Sequence, residues 1–178
     1  MVSLPNEREA RRISDGELLD IGRGVILAEA EELGRAAGRL GPEMVKAARL
    51  VQSCTGRLVV SGLGKSGLIG RKIAATLASL GTPAFFLHAT EGSHGDLGMV
   101  RREDVGLFIS HSGETREVLE LLPFFRRIGA PVIAMTGNLN SRLARNADVV
   151  LDAGIQREAD PLGLAPTSST TLQLALGD

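Results

Sequence analysis

Tryptophan and tyrosine are absent from the 178 residues, five phenylalanines are the only aromatics, and one cysteine and three histidines complete the scarcities. So few rings leave few platforms on which bases could stack. An excess of one charge is missing too: 20 Lys and Arg stand against 21 Asp and Glu, a formal net charge of -1, which provides no basic face for a phosphodiester backbone. No nucleic-acid partner is expected. The lone Cys54 can form neither an intramolecular disulfide nor a Cys-rich zinc centre, which predicts a reducing, cytoplasmic compartment. With no adjacent histidine or cationic cluster to lower its pKa, Cys54 reads as core packing. No run of about 18 apolar residues occurs, and Met1 to Glu9 is charged where an export signal needs an apolar stretch. Neither export nor a membrane span is expected.

What is present is a periodic chain of single-domain length. Ser14-Asp15-Gly16-Glu17 has capping-box spacing, and Leu18, Ile21, Val25 and Ala28 follow at steps of three and four, predicting an amphipathic helix stopped by Gly41-Pro42. Pro42 suits the first turn of a second helix with Ala47, Val51 and Cys54 on one stripe. From residue 57 short apolar runs alternate with helical stretches: Leu58 to Val60, Ala84 to Leu87, Val105 to Ile109, Pro131 to Met135 and Val149 to Leu151. Runs without polar alternation suit strands buried on both faces. Ile69, Ile73, Leu77 and Leu80 make one helical stripe ending at Gly81. Val118, Leu122, Phe125 and Ile128 make another, in which Pro123 must kink or break the helix. The fold class is therefore α/β: a doubly wound five-stranded parallel sheet flanked by helices, a Rossmann-like three-layer sandwich. Residues 1-13 read as a tail and 14-178 as the domain. The segment from Thr167 to Asp178 starts a helix whose apolar face is left unfinished, which predicts an artificial boundary or an unstructured tail there.

In such sheets ligands bind beyond the carboxyl ends of the strands. Gly62-Leu63-Gly64-Lys65-Ser66-Gly67 follows a predicted strand and opens a helix, matching G-x-G-x-x-G. A dinucleotide site wants an acidic residue at the end of the second strand, where Phe85-Phe86-Leu87-His88 has none, and a P-loop wants glycine where Val59 stands. What remains is a phosphate-scale anion site with Gly64, Lys65 and Ser66 at its mouth. The third strand runs into Ser110-His111-Ser112-Gly113-Glu114-Thr115, a neutral, hydroxyl-rich cradle suited to a small phosphorylated molecule. Glu117 has two open readings, complement to a helix dipole or carboxylate aimed into the cleft. Glu91-Gly92-Ser93-His94-Gly95-Asp96 gathers ionisable groups near His88, but without metal-ligand spacing, and is expected to be a mobile substrate-side loop. Glu158 to Thr170 places an acidic pair before a second hydroxyl-rich helix start, with Thr167 or Ser168 as its cap.

Together with Ile69-Gly70-Arg71-Lys72, Ala74-Ala75-Thr76, His94-Gly95-Asp96-Leu97-Gly98-Met99 and Pro161 through Thr171, these motifs resemble the sugar isomerase (SIS) domain of the arabinose 5-phosphate isomerase family, from about residue 14 onward. The resemblance implies reversible conversion of D-ribulose 5-phosphate to D-arabinose 5-phosphate, a step toward KDO and lipopolysaccharide, by a homotetramer needing no metal or other cofactor. Carried onto this sequence, it implies Lys65, Glu117 and Glu158 as catalytic groups. Gly64, Ser66, Ser110, His111, Ser112, Thr115, His94, Thr167 and Ser168 would surround the sugar phosphate. It also implies a further site histidine, in a Ser-His-Pro-Gly-Gly stretch, and a CBS-domain pair, both beyond residue 178. His111 departs from the family pattern, where an amide is usual between the two serines. Two rival readings are a non-catalytic sugar-phosphate regulator on the same fold and a nicotinamide oxidoreductase.

Overall fold

A computed structural model describes residues 13–178; of the expected tail only Ile13 falls inside them. The chain begins with two helices, α1 (Asp15–Arg39) and α2 (Pro42–Ser53). Ser14 closes the predicted capping box with Glu17, and Pro42 occupies the first turn of α2. A Rossmann-like alternation follows: β1 (Leu58–Gly62), α3 (Gly64–Ser79), β2 (Ala84–His88), α4 (Ala89–Ser93), a 3-10 turn (Asp96–Met99) and β3 (Val105–Ile109). It continues through α5 (Arg116–Leu119), α6 (Leu122–Ile128), β4 (Val132–Thr136), α7 (Arg142–Arg145), β5 (Val149–Asp152) and α8 (Ser168–Gly177).

All strand pairs are parallel, in the order β2-β1-β3-β4-β5. The order reverses direction at β1, so β1 and β3 are neighbours whose following helices lie on opposite faces. One core layer joins Leu58, Val60, Leu107, Ile109, Ile133 and Met135 to α2, α3 and α8; the other joins Val59, Phe108, Val132 and Ala134 to α4 through α7. In the second layer Phe108 and Phe125 meet edge to face at 4.9 Å between centroids, both fully buried.

Several expectations need correction. Leu80 is 77% exposed and does not belong to the buried stripe of α3. The stretch from Glu91 to Asp96 is mostly helix rather than loop, with Gly92 buried against Leu121 and Leu87. The final segment is an ordered helix to Gly177, not an unstructured tail. Leu18 and Ile21 are exposed, because α1 begins to be covered only from about Val25, with Glu32 and Ala36 as its buried residues. Pro123 does break its stripe, separating α5 from α6. Among the described residues no helix is long and apolar enough to cross a membrane.

Truncating a fully buried ring leaves a void the neighbours cannot fill, so Phe125→Ala should cost about 3–5 kcal/mol. A urea melt should show a lower midpoint with an unchanged slope.

Candidate functional site

The turn from β1 into α3 forms one wall. Leu63 is extended and caps α3 with no side-chain bond, so the first backbone N–H groups of this helix lack a protein side-chain acceptor. Gly64 takes φ +57°, which an L side chain rarely adopts, and a Cβ on Gly67 would lie 2.9 Å from the Gly62 carbonyl oxygen. The glycines thus let the helix start close against the strand. Lys65, exposed in the first turn, has no carboxylate partner among the described residues. A cleft of about 330 Å³ opens here between Gly64, Lys65, Gly67, Leu68, Arg71, Phe86 and His88. The Arg71 guanidinium lies 4.6 Å from the Phe86 ring centroid, and the His88 Nδ1 is buried without a hydrogen-bond partner. Arg71 stands in the Ile69-Gly70-Arg71-Lys72 motif but is not among the site residues the resemblance implies. Its signal was helical spacing, since Lys65, Leu68 and Arg71 recur every three residues along α3.

The loop after β3 emerges beside that turn because Gly62 pairs with Ile109, but none of its residues lines the cleft. Its hydroxyls divide into two groups. Ser110, buried, meets Thr115 at 2.8 Å between hydroxyl oxygens and accepts the Gly113 N–H at 3.1 Å. These two side chains hold the loop in shape. Ser112 is exposed and accepts the Glu114 N–H at 3.1 Å, which leaves its own O–H free to donate. His111 is also exposed, and its carbonyl accepts the Gly137 N–H at 2.9 Å. Gly113 takes φ +65°, and a Cβ there would collide with the Ser141 side chain. Glu114 is spent on Arg142, accepting its backbone N–H at 2.8 Å and its Nε at 2.5 Å; the guanidinium hydrogen bond holds its carboxyl below the ordinary glutamate range. Among the described residues Glu117 has no hydrogen-bond partner, and the neighbouring Arg116 pairs with Glu120 at 2.7 Å.

Glu158 lies between β5 and α8, and its role differs from that of a free base. Its carboxylate accepts the Thr167 N–H at 2.8 Å, the Thr167 hydroxyl at 3.2 Å, the Ser169 N–H at 3.1 Å and the Ser169 hydroxyl. Burial pushes this carboxyl up, but the hydrogen bonds, led by the Ser169 hydroxyl, outweigh it and hold the pKa below the ordinary range. The Thr167 hydroxyl accepts the Ala159 N–H at 2.7 Å, while the Ser168 Oγ is buried and unpartnered. Thr167 stands at the N-cap of α8 as expected, but its side chain makes no capping bond, and the acceptor for the first N–H groups is the Glu158 carboxylate. Gly177, at the end of α8, lies against Ile73 of α3. His94 is exposed at the end of α4, and among the described residues no three His, Cys, Asp or Glu side chains are grouped closely enough to hold a metal ion.

A family model described as the SIS domain matches residues 52–178. The chain belongs to the SIS domain family. Its curated relatives include the arabinose 5-phosphate isomerase GutQ of Salmonella typhimurium, 51% identical over 161 residues, or 90% of this chain and 50% of the relative. The arabinose 5-phosphate isomerase KdsD of Pseudomonas aeruginosa is 53% identical over 150 residues, 84% of this chain and 46% of the relative. This SIS chain thus spans about half the length of the curated relatives it matches. Among solved structures, E. coli CFT073 c3406 in complex with A5P superposes with a TM-score of 0.89 at 41% identity, covering 93% of this chain and 88% of that one. The Vibrio vulnificus NanR protein complexed with ManNAc-6P shares the fold at a TM-score of 0.78 and 21% identity, over 92% of this chain and 60% of that one.

Gly113→Ala should destabilise the SIS fold by about 1–3 kcal/mol from backbone strain alone, read by chemical denaturation. Glu158→Gln should cost about 1 kcal/mol, as for loss of a helix cap. Because the folded pKa of Glu158 is depressed, its stabilisation is complete above about pH 4.3 and is lost as pH falls through the folded value. Melting temperatures of the parent and Glu158→Gln should therefore differ at neutral pH and converge in acid.

Proposed function

We propose that this chain, over residues 14-178, is the SIS unit of an aldose–ketose isomerase that interconverts D-ribulose 5-phosphate and D-arabinose 5-phosphate. One observation carries the reading. Lys65, in the first turn of α3 after β1, and Glu117, in the first turn of α5 after β3, follow neighbouring strands, and among the described residues neither side chain has a hydrogen-bond or ion-pair partner. The names of the curated relatives and the A5P complex of a solved neighbour support it. The product would feed KDO and lipopolysaccharide synthesis.

The chemistry moves a proton between C1 and C2 through an enediol. In the ketose-to-aldose direction, Glu117 takes a proton from C1 while negative charge develops on the C2 oxygen, where Lys65 stabilises it. Glu117 then returns the proton to C2, and the proton that leaves the C1 hydroxyl passes to the C2 oxygen as the aldehyde forms, so nothing is gained or lost overall. The change is redox-neutral and needs no electron-carrying cofactor. Gly64, Ser66, His111, Ser112 and the loop braced by Ser110 and Thr115 clamp the phosphate, with His94, Thr167 and Ser168 around the sugar. Glu158, held ionised with its lone pairs committed, is a weak base and shapes the start of α8. Between the two carboxylates we therefore assign the base to Glu117.

We place the protein in the cytoplasm as a homo-oligomer, dimer or tetramer. On α1, Leu18, Leu19, Ile26 and Leu27 are all more than half exposed, an apolar face that a second copy would cover. Light scattering should show at least a dimer; a monomer at high concentration contradicts this.

A second reading, a sugar-phosphate-binding regulator without turnover, uses the same fold, on which NanR is complexed with ManNAc-6P. A regulator needs the anion turns but not Lys65 and Glu117, and both are retained. Turnover is to be measured by a coupled assay on this chain and on one of the relatives' full length. Lys65→Ala and Glu117→Gln should each lower kcat roughly 10²–10³-fold, and Ser112→Ala should also raise KM. Tight binding with no turnover in the longer chain would favour the regulator.

A further inference from the structure

The covered face of α1 carries polar side chains bonded to the stretch from the end of β5 to the first turns of α8. Glu29 accepts the Thr171 hydroxyl at 2.9 Å; Arg39 donates to the Gly154 carbonyl at 2.6 Å and pairs with Asp152 at 3.2 Å. Between them Glu32 accepts the Gln156 N–H at 3.1 Å and pairs with Arg35 at 2.7 Å. The Glu32 side chain is only 1% exposed. Burying a carboxylate is costly, and an apolar residue of similar volume commonly packs at least as well. Packing alone does not account for it.

The segment from Ala153 to Thr167 contains no regular structure, and its other hydrogen bonds are mostly local: Asp160 accepts from Leu162, Leu164 and Ala165, and Thr167 from Ala159 and Asp160. Gln156 stands two residues before Glu158. We propose that Glu32 is a positioning residue of the isomerase site, its buried carboxylate holding the Gln156 backbone so that Glu158 meets the start of α8. The proposal rests on the reading that Glu158 belongs to that site.

Anchoring can be read without substrate, because burial and bonds from Thr167 and Ser169 set the Glu158 titration, with no charged group among its causes. In a ¹³C NMR titration of the 178-residue chain, Glu158 should titrate below the ordinary glutamate value of about 4.3. In Glu32→Leu it should move up toward that value while Asp160, held by its own local bonds, stays where it is. Glu32→Gln, which keeps an acceptor for Gln156, should stay close to the parent. In a catalytically active full-length chain, Glu32→Leu should lower kcat on the order of tenfold to a hundredfold with KM unchanged. A role in stability alone would lower the melting temperature and leave the Glu158 titration unmoved, which overturns the proposal. If Glu32→Leu does not fold, an ester in place of the Gln156 backbone amide, which removes the donated N–H and keeps the side chain, must give the same shift. Full turnover in Glu158→Gln would instead overturn the reading of the site, while the titration still decides the anchoring.

Discussion

The parallel pairing of β1 with β3 is the constraint on which the rest of the site depends. It sets Gly62 beside Ile109, so the turns that follow the two strands emerge side by side. Right-handed crossovers then send α3 to one face of the sheet and α5 and α6 to the other. The cleft at Lys65 lies on the α3 and β2 side; between diverging helices such sheets also leave a crevice, bounded by the residues that stand just past the strand ends. Here those residues are Gly64, Lys65 and Ser66 on one side and Ser110 to Thr115 on the other.

Within that crevice the polar groups fall into those that build and those that remain available. Ser110, Thr115, Glu114 and Glu158 are committed to bonds within the chain. Such commitment fixes the loops before a ligand arrives, so less ordering is required on binding. Lys65, Ser112 and Glu117 are left with capacity to meet one. A negatively charged carboxylate at the start of α8 also opposes anion binding at that helix end, whereas α3 has no acidic residue in its first turn. In the proposed site this asymmetry would favour a phosphate at the turns after β1 and β3 over one at α8.

The strands were legible because their apolar runs are uninterrupted, as burial on both faces demands. The glycine turn was legible through spacing, and the helix break through Pro123. Other features depend on contacts between distant residues and leave no periodic trace. That Glu158 caps α8 follows from the path of a fifteen-residue connection, and that Glu32 is buried follows from α1 lying against that connection. The same applies to Leu18 and Ile21, whose spacing is amphipathic but whose face extends past the domain. For Leu80, stripe position implied burial, but α3 ends at Ser79, and Leu80 stands at its exposed C-cap before the turn into β2. His88 was visible only as one member of a loose ionisable cluster, since its buried, unpartnered Nδ1 is a property of the cleft.

The central claim is that this rim moves a proton on a sugar phosphate rather than merely holding the molecule. The most direct measurement is NMR of ribulose 5-phosphate incubated in D₂O with the SIS chain at substrate-like concentration, following the C1 position of the ketose and the C2 position of any aldose formed. An enediol intermediate whose proton visits Glu117 predicts deuterium at C1 and C2, abolished by Glu117→Gln. Saturable binding of the sugar phosphate with no deuterium at either carbon, in this chain and in one of the relatives' full length, would contradict the account.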